Sequence, residues 1–337
     1  MTHGILGAVV ANACLKKNSS RLLVVAGSLA AMAPDLDFLI QSKSNPLLLL
    51  EYHRHFTHSF IFIPLGGFLI ALIFWLLSKR KIPFQSLFLI SMLGYATHSL
   101  LDSCTSYGTM ILWPFSRSRI SWDLIAIIDL FFSFTLIAGL IFSRIFKSKK
   151  PVICSLLIVS TYLLFGFFQR QSGLQIQEQI ASQRHQQIEQ GRVTPTLTNL
   201  FLWRSVYKSD GRIYSDAIWA NPFGKSQYWT GGSLPEFQLP SMINFLPPTS
   251  VLRQNLLLYD WFSDRYLALL NENPMQIGDL RYSLQPQGNR PLWGIEFDPE
   301  KPDQPARRIR FDENRKEMLK SFWRMLSGKF PGGEEIK

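Results

Sequence analysis

The sequence predicts a mainly α-helical protein: a multi-pass helical membrane domain followed by a C-terminal α+β soluble domain. Two observations carry that prediction. Hydropathy falls sharply near residue 168, with long apolar runs before it and frequent Pro, Gln, Arg and Asp after it. Charge divides at the same place. Residues 1–168 hold 14 Lys+Arg against 6 Asp+Glu, whereas the whole 337-residue chain holds 35 against 24. A basic, apolar half points to membrane topology signals and anionic lipid. No basic helix or aromatic-interleaved patch points to nucleic acid.

The apolar half reads as a membrane map. Residues 59–78, 84–101, 122–142 and 152–168 are runs long enough to span the roughly 30 Å hydrocarbon layer. Two earlier stretches, 4–15 and 22–33, are too short to cross alone and fit a helical hairpin among the longer helices. "SLAAMA" offers small residues for signal cleavage, but "KKNSSR" splits the apolar run, so an uncleaved start is preferred. Basic loops set orientation. Residues 16–21, 79–81 and 144–150 should be cytoplasmic, which leaves residues 34–58, 102–121 and everything after about 169 facing outward. The three cysteines, Cys14, Cys104 and Cys154, form neither a CxxC pair nor a disulfide framework.

After the last run comes a polar connector, 169–194. Ile176, Ile180 and Ile188 form a thin stripe on a helix expected to end near Gly191. The soluble domain, 195–337, follows. "LFLWRSVYKSDGRIYSDAIWA" reads as two strands around an Asp-Gly turn, and "DLRYSL" and "LWGIEFD" as further strands. "SVLRQNLLLYDWFSDRYLALLN" is helical in part.

The chemistry concentrates in the apolar half. Five of the six histidines, His3, His53, His55, His58 and His98, lie within the first 98 residues. The acidic residues there are Asp35, Asp37, Glu51, Asp102, Asp123 and Asp129. Loop charges alone bring His3, the Asp35/Asp37 pair, the 53–58 histidines, His98 and Asp102 to one face of the membrane. His98 and Asp102 stand at i, i+4, so on a helix they share a face and can grip one cation. Asp35 and Asp37 follow Pro34, which breaks the preceding helix. Mixed His and Asp ligands suit zinc, or manganese and iron. Seven candidates (His3, Asp35, Asp37, His53, His58, His98, Asp102) exceed one tetrahedral shell and suit two ions.

The bland readings are specific too. Asp35 or Asp37 can cap a helix, and His98 can donate to a neighbouring helix carbonyl. Ionisable groups at membrane depth cost several kcal/mol unless paired, which favours a gathered site over accidents. His55 suits an exposed or supporting role, Glu51 the surface, and His185 a solvated connector. Asp123 reads as a helix N-terminal charge, Asp129 as a group behind the ligands, and Thr57 with Ser59 as an N-cap pair. Arg54, between candidate ligands, suits a phosphate oxygen or a headgroup anchor.

"MTHGILG", "APDLDF", "HRHFTHS" and "HSLLDSCTSYG", in that order over the first 110 residues, resemble the membrane-bound metal-dependent hydrolase family typified by the bacterial inner-membrane proteins YdjM and YbcI. "NLFLWRSVY", "DWFSDRY" and "GDLRYSL" look like the extension of longer members. The resemblance implies a distant relation to zinc-dependent phospholipase C and P1-type nucleases, whose His/Asp metal clusters include an HxxxD pair. His98 and Asp102 match that pair, and His3, Asp35, Asp37, His53 and His58 would be the other ligands. His55 departs from the pattern, which has a small residue after "HR". The expectation is a bacterial inner-membrane hydrolase with one to three divalent ions, zinc above all. Arg54 and Asp102 would take part in catalysis on a lipid or lipid-linked ester, and the C-terminal domain would be extracytoplasmic. The rivals are a transporter or metal-handling protein, disfavoured by apolar span interiors, and a scaffold whose membrane half only anchors it. An intramembrane protease would need an HExxH, or a Ser/His or paired-Asp arrangement at depth.

Overall fold

The computed structural model describes the chain except residues 16–19, 43–44, 312–314, 328–331 and 336–337. The chain forms two compact units. One is Met1–Ile40, Tyr52–Phe167 and Leu197–Asn199; the other is Gln41–Glu51, Phe168–Thr196 and Leu200–Lys337.

The first unit is helical. Helices α1 (Thr2–Cys14) and α2 (Arg21–Ala30) precede a 3-10 turn, Ala33–Leu39. After α3 (Leu48–Tyr52), which belongs to the second unit up to Glu51, a second 3-10 turn, Phe56–His58, leads into α4 (Phe62–Leu77). Then come α5 (Phe84–Cys104), α6 (Leu130–Ile145) and α7 (Lys150–Gln183), the last continuing into the second unit. Helices α1, α2 and α5 cross closely because glycines remove the side chains between them. A Cβ on Gly94 would stand 2.3 Å from the carbonyl oxygen of Gly27. A Cβ on Gly27 would stand 2.9 Å from that of Ala11. Around these contacts, Leu6, Val9, Leu101, Ile125, Phe132 and Leu136 form one apolar core, and Leu23, Ala71, Phe74, Leu87 and Ile90 another.

The multi-pass membrane domain expected from the sequence is not what this unit builds. Among the described residues, only α7 is a single helix long and apolar enough to cross a membrane, or up to three spans exist if each of two bent helix pairs is one. The bent pairs turn by 43° at Ala30/Ala33 and by 80° at His58/Phe62. The reasons are local. Helix α4 and helix α6 each have 16 residues, about 24 Å at 1.5 Å per residue, short of the hydrocarbon layer. Residues 122–128 count as apolar in sequence, yet α6 starts only at Leu130, where Asp129 Oδ1 accepts the amide of Phe132 as an N-cap. Helix α5 buries His98, Ser91, Ser99, Asp102 and Ser103, polarity that a lipid-facing span avoids. Only 22 % of the most apolar window of α7 is buried in the protein. Leu157, Leu164 and Phe168 along it are exposed, as are Leu65, Leu69, Ile73 and Leu77 on α4. Exposed apolar surface of that extent marks a membrane or partner contact.

The basic loop at 16–21 lies mostly outside the described residues. Thr57 and Ser59 do not cap α4. Its N-cap is Ile61, without a side-chain bond; the Ser59 hydroxyl donates to the carbonyl of Phe56, and that of Thr57 to Asp37.

The second unit is α+β. Helix α7 runs unbroken past residue 168 and stops at Gln183, and Gly191 already lies in strand β1 (Gln190–Pro195). Strands β2 (Leu202–Ser209), β3 (Arg212–Trp219) and β4 (Gln227–Pro235) complete an antiparallel meander. The Asp-Gly turn read from sequence sits between β2 and β3. Asp210 has φ 51° and Gly211 φ 67°, the left-handed pair that a two-residue hairpin requires. Helices α8 (Leu239–Phe245) and α9 (Val251–Phe262) follow. A second antiparallel sheet then runs β5 (Leu267–Glu272), β6 (Met275–Asp279), β7 (Trp293–Phe297) and β8 (Arg307–Arg310). "DLRYSL" is therefore mostly turn, since β6 ends at Asp279. Helix α10 (Arg315–Leu326) precedes β9 (Glu334–Glu335), which adds to the edge of β4. Both faces of β2 are buried, and Gln177 of α7 donates to Ser205 Oγ and to the carbonyls of Arg192 and Val206.

Candidate metal centre

The helix-end positions of the first unit converge. Asp35 comes from the 3-10 turn that Pro34 starts where α2 stops, His58 from the turn before α4, and His98 and Asp102 from the last two turns of α5. One ligand atom from each of these four lies within 4.8 Å of all the others. His58 Nε2 is 3.0 Å from His98 Nε2. Asp102 Oδ2 is 3.3 Å from each of those nitrogens. Asp35 Oδ1 is 3.5 Å from His98 Nε2 and 3.8 Å from His58 Nε2. A tetrahedral ion with bonds of about 2.0–2.1 Å has ligand–ligand edges of about 3.3–3.4 Å. Asp35, His58, His98 and Asp102 thus form a group that can hold one metal ion.

The far nitrogens show why both imidazoles offer a lone pair inward. His98 Nδ1 is 2.7 Å from the carbonyl oxygen of Ala31. A carbonyl only accepts, so that nitrogen carries the proton. His98 therefore makes the helix-carbonyl bond of the bland reading with one nitrogen and faces the group with the other. His58 Nδ1 lies 3.0 Å from Thr57 Oγ1 and 3.2 Å from Asp37 Oδ2. Such outer contacts fix the tautomer of ligating histidines. His58 and His98 are wholly buried, and Asp102 nearly so.

Asp102 also faces His3 and Arg54. Its Oδ1 is 3.2 Å from His3 Nε2, and its Oδ2 is 3.0 Å from Arg54 Nε. Neither oxygen receives a bond of hydrogen-bonding geometry; a buried carboxylate left so is poised for a cation. Burial opposes ionisation of Asp102, but the charge of Arg54 and the adjoining imidazoles of His3, His58 and His98 hold its pKa well below the usual carboxylate range. Burial conversely lowers the pKa of His3. The His3 ring stacks on that of His98 with centroids 3.9 Å apart.

The remaining sequence candidates stand around this group. Asp37 is not one of the four and meets His58 at Nδ1 instead. Its Oδ1 is 2.7 Å from His53 Nδ1, and its Oδ2 accepts from the main-chain amide of Arg54 at 2.8 Å. His53 packs edge-on to Tyr107. His3 touches Asp102 but is not one of the four. His55 packs against Tyr52 and Trp113. Arg54 is buried, donates from Nη1 to Thr105 Oγ1 at 2.9 Å, and lies over the Tyr107 ring. Asp129 caps α6 and accepts the Tyr162 hydroxyl with its other oxygen. Sequence reasoning passed over Tyr107, Thr105 and Tyr162. Tyr107 lies in the "HSLLDSCTSYG" stretch that carries the HxxxD pair, which is the one signal that could have singled it out.

A cavity of about 50 Å³ adjoins the group. His3, Arg54, Asp102, Thr105 and Asp129 give it a polar wall, and Leu101, Ile125, Ile127 and Phe132 an apolar one.

Residues 1–173 match a family of proteins described as YdjM inner membrane protein. The chain belongs to that family. The match ends inside α7, so the sheets of the second unit lie beyond it. A curated relative, the uncharacterized protein YfhP of Bacillus subtilis (strain 168), is 27 % identical over 177 residues, which is 52 % of each chain. The chain thus spans about half the length of that relative. No solved structure matches. The similarity to zinc phospholipase C and P1-type nucleases implied by the sequence motifs therefore finds no support in these comparisons.

Proposed function

We propose that the chain is a metal-dependent hydrolase of the membrane, acting on a phosphoester of a lipid or lipid-linked substrate. The observation that carries this reading is the group of Asp35, His58, His98 and Asp102, with ligand atoms within 4.8 Å of one another, beside a cavity lined by Arg54. Two imidazoles and two carboxylates suit zinc, with manganese or iron as other occupants of the same donor set. A divalent ion held there supplies Lewis-acid polarisation and lowers the pKa of bound water.

The protein's own groups do the rest. Arg54, already paired with Asp102 and braced by Thr105, offers a fixed positive charge to a phosphoryl oxygen. Leu101, Ile125, Ile127 and Phe132 keep the cavity wall dry and suit an apolar chain. His3 and Asp129 complete the polar wall.

The inner-membrane family to which the chain belongs, and the exposed apolar side chains of α4 and α7, support action at a membrane.

The test is metal content by mass spectrometry of the detergent-purified protein, wild type beside His98→Ala. It is combined with phosphate release from phosphatidic acid dispersed in the same detergent. About one ion per chain and turnover in the wild type, both lost in His98→Ala, are expected. A wild type without metal overturns the hydrolase reading.

A further inference from the structure

The motif spacing offers Asp37 as a metal ligand like Asp35, two residues earlier. The geometry points to a different role. We propose that Asp37 is a positioning residue, which sets the tautomer of His58 and the placement of Arg54 together, without binding the metal itself. This rests on the metal-centre reading above.

Four contacts carry it. Asp37 is buried, and both of its oxygens are engaged on the side of His58 remote from Asp35, His98 and Asp102. Oδ2 accepts the Arg54 main-chain amide at 2.8 Å and the Thr57 hydroxyl at 3.1 Å. Oδ1 lies 2.7 Å from His53 Nδ1. Since Thr57 gives its proton to Asp37, its oxygen is left to accept from His58 Nδ1 at 3.0 Å. Asp37 Oδ2 itself stands 3.2 Å from that nitrogen. The proton of His58 is thereby held on Nδ1, and Nε2 keeps its lone pair toward His98 and Asp102.

The same carboxylate shapes the residue that faces the anion. Arg54 has φ 63°, a left-handed conformation that costs a side-chain-bearing residue strain unless its surroundings impose it. Asp37 holds its amide from one side, and the Met110 amide holds its carbonyl from the other at 3.0 Å. From that backbone position Arg54 reaches both Asp102 and Thr105. One buried group thus braces a ligand and the charged residue next to it. His53 lies on the outer side of this brace as its second anchor.

The experiment titrates detergent-purified protein with Co²⁺ and follows its visible absorption, in wild type, Asp37→Asn and His98→Ala. Asn keeps the volume, but the oxygen it holds at the Oδ2 position for the Arg54 amide is only a neutral acceptor beside Thr57 and the His58 proton, and its NH₂ stands at the Oδ1 position against His53. Expected in Asp37→Asn is one Co²⁺ per chain at saturation with wild-type band positions, and a dissociation constant raised about 10–100-fold. His98→Ala should lose the wild-type spectrum even at saturation. Wild-type affinity in Asp37→Asn overturns the proposal, as does a saturated spectrum altered in the way His98→Ala alters it, since that would make Asp37 a ligand. Should Asp37→Asn fail to fold, Thr57→Val decides. Removing only the hydroxyl between His58 and Asp37 should weaken Co²⁺ by about threefold or more at unchanged stoichiometry, and an unchanged constant overturns the idea. A wild type that takes up no Co²⁺ is a separate failure, of the metal-centre reading itself.

Discussion

His58 and His98 face each other through their Nε2 atoms at 3.0 Å. His98 Nδ1 already donates to the carbonyl of Ala31, and His58 Nδ1 donates toward Thr57 and Asp37. Two lone pairs in that opposition repel each other. A cation between them, with Asp102 Oδ2 3.3 Å from both nitrogens, turns repulsion into chelation.

Acidity acts against this chelation. The ion needs both imidazoles neutral, so binding displaces whatever protons they carry, and protons compete with the metal. The apparent affinity for Zn²⁺ or Co²⁺ should therefore rise with pH, by up to about tenfold per pH unit for each proton displaced. The sign follows for stability. Metal-derived stabilisation is present at the alkaline end of the titration and is lost as pH falls. Asp102, held well below the usual carboxylate range mainly by Arg54 against the effect of burial, stays ionised throughout and adds no slope. Competition titrations with a metal-buffering chelator at several pH values check this. A flat profile would contradict imidazole ligation.

Arg54→Lys separates the metal from the anion. A lysine cannot reproduce the paired contacts of the guanidinium to Asp102 Oδ2 and Thr105 Oγ1, and it loses the planar stack on Tyr107. Its charge remains, so Asp102 keeps a counter-ion. The expected result is retained metal stoichiometry, with binding of inorganic phosphate to the metal-loaded protein weakened about 10–100-fold, the worth of a charge-assisted hydrogen bond of roughly 1.5–3 kcal/mol. Calorimetric titration with phosphate reads it. Equal phosphate affinity in the variant would remove Arg54 from the anion site.

Much of this centre is legible in the sequence because ionisable residues are rare in apolar stretches, and each one there needs a partner. The i, i+4 spacing of His98 and Asp102 is enough to place both on one helix face, and the helix is there. What spacing cannot resolve is the 3-10 turn Ala33–Leu39. Its tighter winding sends Asp35 to the metal group and Asp37 behind His58, although both are two-residue neighbours in "APDLDF". The left-handed Arg54 is equally invisible, since it depends on Asp37 and Met110 from other segments. The span count failed for a related reason. Ile125, Ala126, Ile127 and Ile128 score as apolar helix, yet they line the cavity or precede the cap that Asp129 forms. The Asp210–Gly211 hairpin was readable because its turn chemistry is local.

The glycine crossing makes the last prediction, because it ties the metal to residues that never touch it. Gly94 stands one turn before His98 on α5, and its Cα faces the Gly27 main chain of α2 so closely that a Cβ would sit 2.3 Å from the Gly27 oxygen. The same α2 ends at Ala30, next to Ala31, whose carbonyl fixes the His98 ring, and leads into the turn that carries Asp35. Gly94→Val must push α5 off α2, since the contact is backbone and cannot rotate away. Overpacking of this kind costs about 1–3 kcal/mol or more. It should also lengthen the His98–Ala31 bond and separate Asp35 from His98 and Asp102, so Co²⁺ affinity should fall by at least about tenfold with every ligand present. Gly211→Ala, at the exposed hairpin turn with nothing within 4 Å of its Cβ, is the matched control. It strains a left-handed backbone in the second unit and should lower stability without changing the metal constant. Thermal unfolding in detergent, read beside the Co²⁺ titration, distinguishes the two. Wild-type metal affinity in a folded Gly94→Val protein would show that the helix crossing does not position the centre.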